Sequence, residues 1–168
     1  MKIGLISDTH SYLDPKVFHY FKDCDQLWHA GDIGSVEVLE QLQKFKSTLA
    51  VYGNIDGQEL RKECPRDLHF DCEGLKVWIT HIGGRPGRYD RAVKQELHEN
   101  PPNIFICGHS HILKVMVDAK LNKMLYLNPG AAGNQGFHRV KTLLRFEIAK
   151  GIVKNMEVIE LGKRGALN

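Results

Sequence analysis

Apolar runs and amphipathic stretches alternate along the first third of the chain. Residues 2–7 form a short apolar run of the kind that builds a buried strand. Asp14-Pro15 then predicts a helix start, with Asp14 as N-cap, Pro15 at the first helical position and Val17, Phe18 and Phe21 as the apolar stripe. Residues 26–29 form a second strand. Residues 35–45 form a helix capped by Ser35, with Val36, Leu39, Leu42 and Phe45 along one face. Residues 49–52 give a third strand, ending at Gly53. The order βαβαβ implies parallel strands joined by right-handed crossovers.

The pattern then changes. Residues 69–71 and 75–80 read as strands around the turn Glu73-Gly74. Residues 88–99 read as a helix stopped by Asn100-Pro101-Pro102, and 103–107 as a strand ending at Gly108. The last third reads as antiparallel hairpins. Residues 114–118 and 124–127 flank the turn 120–123, and 143–148 and 152–159 flank Lys150-Gly151. Phe18, Trp28, Trp78 and Phe105 are assigned to the core. The expected fold class is α/β, two sheets packed face to face with helices outside, built as one domain over residues 1–168.

Composition narrows the function. A net charge of +3 spread along the chain carries no nucleic-acid signature, and Lys163-Arg164 reads as a solvated end. Cys24, Cys64, Cys72 and Cys107 form no CxxC pair, so they are expected to be reduced thiols of a cytoplasmic protein rather than zinc ligands. Asp8 and His10 interrupt the first apolar run too early for a signal-peptide core, and no apolar stretch approaches the ~20 residues that cross a bilayer.

The chemistry lies in five short polar clusters: Asp8-Thr9-His10, Gly31-Asp32, Gly53-Asn54, His81 and Gly108-His109-Ser110-His111. Each alone has an ordinary explanation as a cap, a turn or a structural histidine. Together they offer two carboxylates, one amide oxygen and four imidazoles, each cluster just after a predicted strand. Ligands of α/β sheets bind beyond the carboxyl ends of the strands, so these side chains are expected to converge. A mixed Asp, Asn and His donor set suits manganese, iron, zinc or nickel. Asp32 has two oxygens and is the natural bridge between two ions. His109 and His111, two apart on an extended segment, point to opposite sides and suit two neighbouring ions.

In this order the clusters read DxH, GD, GN, H and GHxH, and the chain thereby resembles the calcineurin-like metallophosphoesterase superfamily from its first strand through Asn128-Pro129-Gly130. Its size and the Gly53-Asn54-Ile55-Asp56 variant make it similar to the small bacterial and archaeal phosphodiesterase branch, which is similar in turn to the retromer scaffold subunit of eukaryotes. The resemblance implies a four-layer sandwich and two divalent metal ions, with manganese expected and nickel, zinc, iron or magnesium also suited. One ion would be held by Asp8, His10, Asp32 and His111, the other by Asp32, Asn54, His81 and His109. They would lie ~3.5–4 Å apart with a bridging hydroxide that attacks phosphorus in line. Asp32, Asn54 and His81 are the implied catalytic ligands.

One departure stands out. Many enzymes of the superfamily read Gly-Asn-His-Glu at the third cluster, whereas Ile55-Asp56 stands here and supplies no imidazole. That favours substrates with good leaving groups, such as aryl diesters, or another proton donor, for which His29 and His138 are the candidates. Asp56 is either a supporting carboxylate or a turn residue. Arg85 and Arg88, in the glycine-rich loop after His81, are candidates for gripping a substrate phosphate. Asn128-Pro129-Gly130 is expected to shape the floor of the site. The expected partner is a small phosphoester, with a homodimer through a late hairpin edge as a further option. The contrasting reading is a non-catalytic protein-binding scaffold of the same fold. A scaffold has no need of all seven ligands, and all seven are present.

Overall fold

β1 (Lys2–Ile6) buries every residue after Lys2, because it lies in the middle of a sheet covered on both faces. It is followed by α1 (Lys16–Tyr20), β2 (Gln26–His29), α2 (Val36–Phe45), β3 (Thr48–Ala50) and α3 (Gln58–Glu63). Next come β4 (Asp67–Cys72), β5 (Leu75–Thr80), the two-residue strands β6 (Gly84–Arg85) and β7 (Arg88–Tyr89), α4 (Arg91–Glu99) and β8 (Ile104–Ile106). β9 (Lys114–Asp118), β10 (Met124–Asn128), β11 (Val140–Ala149) and β12 (Ile152–Lys163) complete the order. The structure is a computed structural model and describes residues 1–165.

Two five-stranded mixed sheets result, ordered β12-β11-β1-β2-β3 and β4-β5-β8-β10-β9. Within the first, β1, β2 and β3 are parallel; within the second, β5, β8 and β10 are parallel. Strand alternation sorts the side chains into layers. Ile3 and Leu5 of β1 face Val77 and Ile79 of β5 and Ile104 and Ile106 of β8 between the sheets, around Trp28. Ile6 points the other way, to Val17, Phe21, Leu39 and Leu42 of the first two helices and their flanks. Trp78 and Phe105 face outward from the second sheet onto Val93 and Leu97 of α4. The expected helix–sheet–sheet–helix sandwich is what forms. Each fully buried large apolar side chain in these layers contributes roughly 1.5–3 kcal/mol.

Several local expectations are corrected. Arg88 does not begin the fourth helix. It lies in β7, because Gly87 at φ 82° closes a tight ribbon, and the helix starts at Arg91. Asp90 is its N-cap and accepts from Ala92 N at 2.9 Å. α1 begins at Lys16 with Pro15 at the cap, while Asp14 accepts from Lys16 N at 3.0 Å. α3 is not expected from the sequence, since Gln58–Glu63 carries one apolar residue, Leu60, and no periodic stripe. Phe18 is only half-buried, edge-on to Phe45 at 5.1 Å; Trp28, Trp78 and Phe105 are buried as expected. Lys163 and Arg164 are exposed, as a solvated end should be; Lys163 closes β12, and Arg164 donates to His138 O at 3.0 Å.

All four cysteines are buried free thiols, and burial pushes Cys24, Cys64 and Cys107 up to about 11. No helix among the described residues is long and apolar enough to cross a membrane. The two late hairpins supply an edge strand to each sheet, β9 and β12.

Candidate metal centre

The parallel strands of both sheets end on one side of the sandwich, and the polar clusters follow them there. Two groups of ligand atoms come together. In the first, one atom each of Asp8, His10 and His111 lies within 4.8 Å of the others; in the second, one each of Asp32, His81 and His109. Asp32 faces both: its Oδ1 is 3.2 Å from His81 Nε2, and its Oδ2 is 3.8 Å from His10 Nε2. His111 Nε2 lies 3.2 Å from Asp8 Oδ1 and 3.2 Å from His10 Nε2. Asn54 lines a cavity of about 310 Å³ with His81, Tyr52, Arg61 and Arg66. Asn54 is exposed. Arg85 and Arg88 lie on the exposed β6–β7 ribbon and line a separate groove that reaches only His109 of the two groups.

The backbone at these positions is unusual. Asp8 (φ 54°), His10 (48°), Asp32 (53°), His109 (64°) and His111 (57°) all adopt the left-handed conformation. For a residue with a Cβ this costs on the order of 1 kcal/mol each, and such clusters persist where the surrounding structure enforces them. Here the enforcement is visible in backbone bonds between loops. Asp8 N donates to Gly31 O at 3.0 Å, His10 N to Asp32 O at 3.0 Å and Gly133 N to Asp8 O at 3.0 Å. The glycines of the clusters answer a packing need as well. A Cβ at Gly53 would overlap Asp32 Oδ1, and one at Gly108 would overlap Ser7 Oγ.

A supporting layer lies beneath. Asp56 is buried and accepts three backbone bonds, from Gly53 N (2.7 Å), Gly34 N (2.7 Å) and Ile33 N (3.2 Å). It therefore ties the Asp32 loop to the Asn54 loop, beyond the role of a turn residue. Arg61 of α3 donates to Asp56 O at 2.7 Å and Asn54 O at 3.2 Å, a contribution hidden in sequence with the helix that carries it. Asn128 Nδ2 donates to Gly108 O at 2.8 Å and Ser110 Oγ at 3.1 Å, bracing the last cluster from the floor as expected. His81 Nδ1 bonds Ala30 O at 2.7 Å, so this nitrogen carries the proton and Nε2 faces the centre.

The two alternative donors differ. His29 is fully buried and both ring nitrogens are engaged: its Nδ1 accepts from Gly31 N at 3.2 Å, and its Nε2 meets Thr9 Oγ1 at 3.0 Å. Burial pushes this ring down to about 4 despite the nearby Asp56 carboxylate. It is a neutral structural histidine. His138 packs edge-on to His111 with ring centroids 5.3 Å apart and bonds Gly133 O through Nε2 at 3.0 Å. Burial holds it below its usual value too.

The centre's electrostatics suit cations. Burial lowers His10, against the pull of Asp32 and Asp8, and keeps it neutral and able to donate a lone pair. Burial also opposes charge on Asp32 and His81, but the contact between them outweighs it, so Asp32 is held below and His81 above its ordinary value. Asp8 Oδ2 is buried without a hydrogen-bond partner among the described residues, and His81 Nε2 meets Asp32 Oδ1 at 3.2 Å. Buried polar atoms without partners are costly, and carboxylate oxygens and imidazole nitrogens aimed into one space are the donor set a divalent cation satisfies. The donor chemistry of both groups fits divalent metal.

Comparison with known proteins gives the family. Residues 1–151 match the calcineurin-like phosphoesterase superfamily domain, and the chain belongs to that family. It is 34% identical over 140 residues to a probable metallophosphoesterase of Methanothermobacter thermautotrophicus, covering 78% of this chain and 77% of that one. It is 30% identical over 146 residues to a phosphodiesterase of Methanocaldococcus jannaschii, covering 77% and 83%. The fold is also that of Vps29 from Chaetomium thermophilum, with a TM-score of 0.75 at 14% identity over 98% of this chain and 99% of that one.

Proposed function

We propose that this chain is a phosphodiesterase that works with two divalent metal ions, manganese first among them. Asp8, His10 and His111 would hold one ion and His81, His109 and Asn54 the other, with Asp32 shared. The observation that carries this reading is Asp32: one buried carboxylate with an oxygen toward each histidine group. When bound, such a pair supplies an activated water for in-line attack on phosphorus and neutralises the non-bridging oxygens.

The chain's own residues do the rest. His81, oriented by Ala30 O, presents Nε2 to the centre. Asp56 and Arg61 keep the Asp32 and Asn54 loops at a fixed separation. Ile55 is exposed where relatives with a Gly-Asn-His-Glu loop carry an imidazole, so the third loop gives no proton to the leaving group. Esters whose leaving group departs as a stable anion are therefore the preferred substrates. The four buried thiols fit a reducing, cytoplasmic setting.

The test is hydrolysis of bis(4-nitrophenyl) phosphate and 4-nitrophenyl phosphate with manganese, nickel, zinc and magnesium supplied separately. Diester turnover that needs metal, is lost with chelator and is abolished by Asp32→Ala in a folded protein is the expected result. Metal-loaded protein that hydrolyses neither ester above background would favour the scaffold reading, which the Vps29-like fold keeps in view.

A further inference from the structure

The groove beside His109 is larger and more basic than one phosphate needs. It encloses about 1290 Å³ between the β6–β7 ribbon, the start of α4 and the segment after Gly108. Ligand sites for whole small molecules run to roughly 300–1,000 Å³. Its lining includes Arg85, Arg88, Arg91 and Lys114 against one carboxylate, Asp90, which is engaged as the α4 cap. The whole chain has a net charge of only +3, so four cations around one groove are a local concentration. Among the described residues none of the four has a side-chain hydrogen bond or ion pair. Arg61, Arg145 and Arg164, by contrast, are bonded to backbone carbonyls or a carboxylate.

Apolar surface lines the same groove as these cations. Ile82 follows His81 and is 37% exposed; Ile112 follows His111 and is 66% exposed; both line the groove. Solvent-facing isoleucines next to ligand histidines suit contact with an uncharged portion of a ligand. One groove thus combines a metal-ligand histidine, His109, apolar wall and cations.

We propose that this groove is a second anion subsite, and that the substrate is an organic phosphodiester carrying another phosphate beyond the scissile one. It rests on the phosphodiesterase reading. The scissile phosphate sits at the two histidine groups, the uncharged part of the substrate lies along Ile82 and Ile112, and the distal phosphate is held by Arg91 and Lys114 with Arg85 and Arg88. Arginine's planar fork matches a phosphate in two places, and four unpaired cations leave the site selective for charge.

Two chromogenic probes separate the ideas: the 4-nitrophenyl ester of thymidine 5′-phosphate, and the same compound with a 3′-phosphate. The intact protein with manganese is expected to prefer the doubly phosphorylated probe by about tenfold or more in kcat/KM, mainly through KM. The preference should shrink as salt rises. In the Arg91→Ala/Lys114→Ala double variant the ratio between the probes should fall toward one; Arg91→Gln, a single change at an exposed position, should move it the same way. Equal kcat/KM for the two probes in the intact protein, or a ratio untouched by the variants, would overturn the subsite. If neither probe is turned over, the phosphodiesterase reading has failed, and calorimetry with thymidine 3′,5′-bisphosphate still decides the subsite. Binding that the double variant loses supports it, and no binding to the intact protein overturns it.

Discussion

Asp56 holds two metal-binding loops with one buried carboxylate, and removing it exposes three backbone donors at once. Groups that orient metal ligands without touching the metal are typically worth roughly 10–100-fold in affinity or activity. Asp56→Ala is therefore expected to weaken manganese binding by about that factor in calorimetry, with Asp32 and Asn54 themselves unchanged. His29 makes a prediction about acid. Its ring titrates at about 4 in the fold against an ordinary 6.5, because burial disfavours the charged form. Between those values the unfolded chain takes up a proton that the folded chain refuses. The contribution is fully present above pH 6.5 and is lost as pH falls through the window, up to about 3 kcal/mol. Urea unfolding at pH 7.5 and 4.5 should show a smaller pH-dependent loss in His29→Gln than in the parent. At this scale the sequence carried much of the site: the ligand types and spacing were legible because each cluster sits where a strand must end. Asp56 stayed ambiguous, since a carboxylate in a Gly-Asn-Ile-Asp turn looks the same whether it caps its own turn or another loop.

The helices are short and the loops do most of the positioning, so links between elements decide how rigid the centre is. Lys141 of β11 reaches Asp14, just before α1, in a buried ion pair at 2.7 Å, with Tyr12 under the ammonium at 4.8 Å. Burial opposes charge on Asp14, but the Lys141 bond wins and holds it below the usual carboxylate range. Breaking a buried pair from one side leaves an uncompensated charge and costs about 3–5 kcal/mol. Lys141→Met should lower the denaturant midpoint accordingly, and Asp14→Leu/Lys141→Met should recover much of the loss. Sequence patterning caught most strands and three helices, α1, α2 and α4, the last with its start three residues early. It missed α3 and the β6–β7 ribbon, which have almost no apolar face and are held by Arg61's bonds and by the turn at Gly87.

For the molecule as a whole, metal should be a structural component. Five left-handed backbone positions and a buried, unpartnered oxygen of Asp8 lie in one small volume. A ligand that binds only the folded state stabilises it by about 2.7 kcal/mol at a hundred times its dissociation constant. For a chain of this size that raises Tm by roughly 5–10 °C. Calorimetric scans with chelator and with manganese should differ by that much, and less in Asp32→Ala; equal scans would mean the centre does not load. The sequence by itself determined the alternation of strand and helix, the sandwich class and the seven candidate ligands. These follow from local periodicity and from the rule that α/β sites form at strand ends. Only the tertiary structure gave the distances at which Asp32 approaches His81 and His10, and brought Arg91 and Lys114 together with Arg85 and Arg88 around one groove. Those relations depend on how two sheets pack and how loops more than twenty residues apart bond to one another, which no local pattern encodes.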